Sequence, residues 1–178
     1  METITKNIPA LALRGLTVFP RMTASFDVER EISVRALERA METGQEIFLV
    51  TQRELGVELP EEKDLYEVGT VARVIQILRA SNSMMRVVME GGSRARLRRL
   101  WQREPFLQAQ VELIGEEKSP RHGTRTEAML RQTYALFGEY SELLPKQPES
   151  IFTTVMDATD PGFLADFIAQ NSNLRYQD

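Results

Sequence analysis

The chain has no cysteine, one histidine and only four lysines among its 178 residues. Without cysteine there is no disulfide, no thiolate metal site and no cysteine nucleophile, and a reducing compartment is permitted. His122, beside Pro120 and Gly123 with no second ligand near it in sequence, reads as a solvated loop residue rather than a metal or acid–base group. No GxxxxGK[ST] occurs, so the phosphate-cradling loop of an ATPase is missing, and neither GxSxG nor HExxH is present. The expectation is a chain with no catalytic residues, no metal and no cofactor of its own. No stretch approaches the roughly 20 apolar residues that span a bilayer, and Met1 to Asn7 is polar where a secretory leader would be apolar; the chain reads as cytoplasmic. A net charge of -4 supplies no general basic field for a polyanion.

What is present is the balance of a folded domain: 42% apolar and 27% charged residues, in a length that accommodates two modules at most. Residues 8 to 115 read mainly as strands. Ile8, Leu11 and Leu13 open the pattern, and Phe19-Pro20-Arg21 breaks it, because proline removes a ladder donor. Ala24, Phe26 and Val28 then alternate with Ser25, Asp27 and Glu29, as a half-buried strand requires. Ile32, Ala36, Leu37, Ala40 and Met41 follow at helical spacing up to Gly44, a left-handed stop. Ile47 to Val50 is a short apolar run of the buried-strand kind, and Glu54 to Asp64 reads as a solvated loop. From Gly69 to Leu78 the apolar residues keep no single parity, so both faces are expected to be covered. A hairpin turn at Ser81-Asn82-Ser83 leads into Met84 to Glu90, which Gly91-Gly92 is expected to close as a turn. Arg94, Arg96 and Arg98 share one parity until Arg99, Leu100 and Trp101 reverse it, which implies a bulge. Leu107, Ala109, Val111 and Leu113 complete a clean alternating strand.

Between Gly115 and Gly123 the period changes from two to 3.6, placing a module boundary there. Met129, Thr133, Leu136, Phe137, Tyr140 and Leu144 form one stripe of a long helix ending at Pro145, expected to be core. Ile151, Phe152, Val155 and Met156 mark a second helix. Asp160-Pro161 opens a third, with Leu164, Phe167 and Ile168.

Several segments stand out in order along the chain: Ile8-Pro9-Ala10-Leu11-Ala12-Leu13-Arg14 with Val18-Phe19-Pro20, Phe48-Leu49-Val50-Thr51-Gln52, and Asp64-Leu65-Tyr66-Glu67-Val68-Gly69-Thr70-Val71-Ala72. Glu90-Gly91, Arg94-Ala95-Arg96, Asp160-Pro161-Gly162 and Leu164-Ala165-Asp166 follow, up to about residue 168. Together these segments resemble the amino-terminal domain of the Lon family of ATP-dependent proteases. The resemblance implies an α+β fold: a mostly antiparallel PUA-like pseudo-barrel with one inserted helix over 1–117, then a small helical bundle over 118–178. It also implies a longer homohexameric enzyme whose downstream parts use ATP and Mg and carry a Ser–Lys protease, with this segment recruiting unfolded or damaged proteins and supporting ring assembly.

A surface that recognises exposed apolar side chains without reading sequence should itself be apolar and adaptable, which suits methionine. Two places qualify. Met84 and Met85 must point to opposite faces, so at least one is a candidate for exposure. The loop carrying Phe19, Pro20 and Met22 is the second. The competing function is nucleic-acid binding by Arg94, Arg96, Arg98, Arg99 and Arg103 around Trp101, against which stands pairing of these arginines with the abundant glutamates.

Overall fold

The computed structural model describes residues 4–79, 84–115, 123–143 and 148–172. The expected turn at Ser81-Asn82-Ser83, His122, Leu144 and Pro145 lie outside them, as does most of the expected boundary segment. The chain divides into two compact units, the first strand-rich up to Gly115 and the second helical.

The first unit contains β1 (Thr5–Leu13), β2 (Thr23–Val28), α1 (Glu31–Glu42), β3 (Glu46–Thr51), β4 (Val68–Arg79), β5 (Met85–Gln102) and β6 (Gln108–Leu113). The strand order is β2-β5-β4-β3-β1-β6, and β6 also pairs with β5. Five strands therefore close a circuit of pairings, with β2 attached to β5 outside it. The sheet is mixed: β1 and β3 run parallel, with Ala10 opposite Phe48, while the other five pairings are antiparallel. The parallel pair is possible because β2 and α1 intervene in the chain and carry it back to the starting end.

β1 and β3 divide two cores between their faces. Leu11, Leu13, Ile47 and Leu49 pack with Ala36, Leu37 and Ala40 of α1 on one side. Ile8, Ala10, Ala12, Phe48 and Val50 pack with Val71, Ala95, Leu97, Ala109 and Val111 on the other. This explains why β1 is buried without alternation from Ile8 to Leu13. α1 ends as expected at Gly44, whose φ of 104° is the left-handed stop, and the Gln45 N–H reaches back to the Ala40 carbonyl at 2.8 Å. Met41, expected on the buried stripe, is instead exposed.

Two strand readings are corrected. β4 is not covered on both faces: a register shift between Val74 and Gln76 resets its parity, leaving Ile75 53% and Leu78 50% exposed. Gly91-Gly92 is not a closing turn but the middle of an 18-residue strand, β5. A side chain at Gly91 would place its Cβ 2.1 Å from the Phe19 carbonyl oxygen, and one at Gly92 would lie 2.7 Å from that of Val71. Here glycine serves the close approach of backbones, not a reversal. The bulge expected near Arg99 is present as a register shift between Leu97 and Arg99.

The second unit holds α2 (Thr124–Leu143), α3 (Glu149–Asp157) and α4 (Pro161–Asn171). α4 starts as expected, with Asp160 accepting the Gly162 N–H at 3.0 Å and Pro161 in the first turn. Its core is Phe137, Val155, Ala158 and Leu164, flanked by Leu130, Tyr134, Tyr140 and Ile168. On α2 the expected Phe137 and Tyr140 do face this core, joined by Leu130 and Tyr134, whereas Met129 and Leu136 of the expected stripe are exposed.

Candidate functional site

The turn Phe19-Pro20-Arg21-Met22 is built from its residue types. Proline presets the second position and Arg21 takes φ 62°, the pattern of a type II turn, closed by the Met22 N–H on the Phe19 carbonyl at 3.2 Å. The turn is then pinned to β5: the Arg21 N–H donates to the Gly91 carbonyl at 2.7 Å, and the Gly91 N–H donates to the Met22 carbonyl at 2.8 Å. Two residues thus face one glycine, a bulge that carries the chain from the turn into β2. Below it, the buried Thr70 hydroxyl donates to the Val18 carbonyl at 2.7 Å.

Phe19, Pro20 and Met22 are half-buried, and Met22 leans against the core that α1 covers. The loop, a candidate for exposure, is exposed only in part: two backbone hydrogen bonds and one packed methionine hold it. The methionine pair separates as strand parity requires. Met85, 7% exposed, points inward with Val87 and Met89 and is a core residue, so it leaves the candidate surface; Met84 is half-buried. The apolar side chains that do stand in solvent on this part of the sheet are Ile75 and Leu78, with Leu78 opposite Arg86 in register. The broken parity of β4 was the available signal, and it pointed to a bulge rather than to double cover.

The arginine-rich half of β5 lines a cleft of about 930 Å³ facing the segment 61–67, with Arg53, Tyr66, Arg96 and Arg98 in its wall. Carboxylates meet much of its positive charge. Arg98 pairs with Glu112, Arg103 lies 3.3 Å from Glu61 and donates to the Leu59 carbonyl at 3.0 Å, and the Leu100 N–H donates to Glu62 at 3.0 Å. Arg94 also has a partner, whereas Arg96 and Arg99 are exposed, as is Trp101. Lys63, 3.1 Å from Glu61, has its pKa raised by that carboxylate. The Arg53 guanidinium sits 4.5 Å over the Tyr66 ring.

A polar knot that sequence reasoning missed sits at the end of β3. Gln52 is fully buried; its amide donates to the Glu54 and Val57 carbonyls at 3.2 and 3.0 Å and accepts from Arg30 at 2.9 Å. Arg30 also reaches the carbonyls of Ala12 and Glu58. Burial, with Arg14 nearby, lowers the Arg30 pKa from its ordinary value. The only sequence signal was a glutamine directly after an apolar strand.

The fold is of the α+β class, a mixed sheet in which five strands close a circuit of pairings, with a separate helical unit. Residues 7–178 match the family described as the ATP-dependent protease La (LON) substrate-binding domain, and the chain belongs to that family. It is 39% identical over 173 residues to a Lon protease of Brevibacillus choshinensis, covering 97% of this chain and 22% of that protein. It is 34% identical over 177 residues to Lon protease 1 of Bacillus subtilis, covering 99% of this chain and 23% of that protein. The chain thus spans about a fifth of the length of the curated relatives it matches. Among solved structures, the N-terminal domain of Mycobacterium avium complex Lon protease superposes with a TM-score of 0.70 at 18% identity, covering 95% of this chain and 84% of that one.

Proposed function

We propose that the chain recruits unfolded or damaged proteins to an ATP-dependent protease of the Lon type and contributes to assembly of its homohexameric ring in the cytoplasm. ATP, Mg and the Ser–Lys peptidase chemistry belong to the rest of such an enzyme. The observation that carries this reading is the family match across residues 7–178. Residues 1–117 are the recognition module, of PUA-like pseudo-barrel type, and residues 118–178 begin the connection to the motor. The binding surface includes Phe19, Pro20, Met22 and Met84 and extends to the exposed Ile75 and Leu78.

Each apolar side chain buried on such a surface contributes on the order of 1.5–3 kcal/mol before ordering losses. Two or three give roughly millimolar to micromolar affinity, suited to sampling and raised by avidity around a ring. The nucleic-acid alternative is weaker, because Arg98 and Arg103 are already engaged by Glu112 and Glu61. The test is a titration of the chain with native and permanently unfolded forms of one protein at moderate salt. Binding of the unfolded form alone is expected; equal binding of both, or of neither, rejects the reading.

A further inference from the structure

β2 is an edge of the sheet: among the described residues its only strand partner is β5. Ala24, Phe26 and Val28 pair with Met89, Val87 and Met85, and the bulge at Arg21 and Met22 opposite Gly91 sets which residues face the ladder. Counting on from the Met22 carbonyl bonded to Gly91, the N–H and C=O of Ala24, Phe26 and Val28 point to β5, and those of Thr23, Ser25 and Asp27 point away. Among the described residues no backbone hydrogen bond satisfies these outward groups, and all three residues are exposed.

Edges left this way pair with other chains unless proline, lysine or an outward charge blunts them. Thr23–Val28 contains no proline and no lysine. Its single charge, Asp27, is held by a two-pronged contact with Arg86 of β5 at 2.8 and 2.9 Å, so it is directed over the sheet and not across the free edge. Beside this edge, where β2 runs out near the end of β1, lies a cavity of about 250 Å³ whose wall combines Leu11, Leu16, Phe26 and Val28 with charged side chains, among them Glu29 and Arg30. It is large enough for one leucine or phenylalanine side chain.

We infer that the free edge of β2 takes up an extended polypeptide segment as an added strand, seating one apolar side chain of that segment in the cavity beside Phe26. This rests on the reading of the chain as a binder of unfolded proteins and supplies its selectivity. Main-chain donors and acceptors are present in every sequence, and an unfolded chain offers far longer runs of them unpaired than a folded one, so edge pairing favours lack of structure over any particular sequence. The alternate inward side chain adds a preference for apolar residues.

The test uses the whole 178-residue chain. The probes are a reduced, carboxymethylated protein that cannot refold and a nonapeptide alternating leucine and threonine, the latter also made with N-methyl groups on every second amide in either phase. Ser25→Pro removes an outward N–H without touching the ladder to β5, and edge strands tolerate proline there. Expected are binding of both probes by the parent, loss of roughly tenfold in affinity in Ser25→Pro, and a similar loss for one methylation phase only. The methylated peptides act on the unaltered chain and decide the matter even if the variant misfolds. Unfolded-protein binding that ignores Ser25→Pro and both methylation phases overturns the edge while leaving the proposed function standing. Absence of binding to either probe overturns both. Self-association that Ser25→Pro abolishes, without peptide binding, assigns the edge to a second copy and overturns the inference.

Discussion

The two units bury apolar side chains by different means. In the strand-rich unit the circuit of pairings and α1 enclose two cores, and residues such as Phe48, Leu37, Ile47 and Val87 lose all contact with water. Among the described residues the helical unit has four buried apolar ones, and α2 buries only Phe137. Met129, Leu136 and Leu143 stand seven residues apart along α2 at 60, 56 and 84% exposure, on one side of the helix. A closed sheet supplies both sides of its core from within. In the helical unit α3 and α4 cover one side of α2, and Met129, Leu136 and Leu143 on its other side are exposed.

The largest effect that tests this contrast is expected at Phe48, which fills the space between β1, β4 and β6. Phe48→Ala removes a fully buried ring that a closed circuit cannot collapse around, so a loss of about 3–5 kcal/mol is expected in urea unfolding followed by the fluorescence of Trp101, the single tryptophan. A loss well under 1 kcal/mol would mean that the circuit relaxes freely, contrary to tight closure.

Next comes Gly91→Ala. The new Cβ would meet the Phe19 carbonyl oxygen at 2.1 Å, and this obstructing group is backbone, so it cannot swing aside. The turn must lift from β5, giving up the two hydrogen bonds that pin it, at about 1–3 kcal/mol. An unchanged unfolding midpoint would show that the turn is not clamped.

These sites also mark how far the sequence could be read. Alternation located β2 and β6, the 3.6 period located α1, and the reversal at Arg99 located the bulge, because each is a local consequence of which side chains meet a core. The parallel pairing of β1 with β3 was not legible: a buried run such as Ile47 to Val50 carries no record of its partner's direction. Gly91-Gly92 was misread for a related reason, since glycine at a turn and glycine at a crossing of backbones are the same letter. The α2 stripe was misplaced in part because that helix carries apolar residues on two sides, and only α3 and α4 decide which is covered. At the candidate surface, parity separated Met84 from Met85, but cover for Phe19 and Met22 comes from distant residues that no local pattern names.

A smaller effect is expected on the exposed side of the helical unit. Replacing Met129, Leu136 and Leu143 together with Gln removes exposed apolar side chains that touch no core, so thermal and chemical stability should stay within about 0.5 kcal/mol per site. The same triple change should raise solubility at high concentration. Marked destabilisation would mean that this side of α2 is part of a folded interior and would erase the contrast between the units.

The smallest effect belongs to the edge strand of the closed unit. Asp27 and Arg86 are both exposed, and their contact at 2.8 Å lowers the Asp27 pKa, chiefly through the hydrogen bond to Arg86. A carboxyl whose pKa is depressed by folding stabilises the fold above its unfolded pKa and loses that contribution as pH falls through its folded value. The stability difference between the parent and Asp27→Asn should therefore be constant from neutral pH down to the ordinary carboxylate range, then shrink below it and vanish once Asp27 is protonated in the folded chain. Because the pair is in solvent, added salt should also reduce the difference. A difference that instead grew on acidification would show that Asp27 is opposed by other carboxylates more than it is held by Arg86, and that its charge is free to guard the edge of β2.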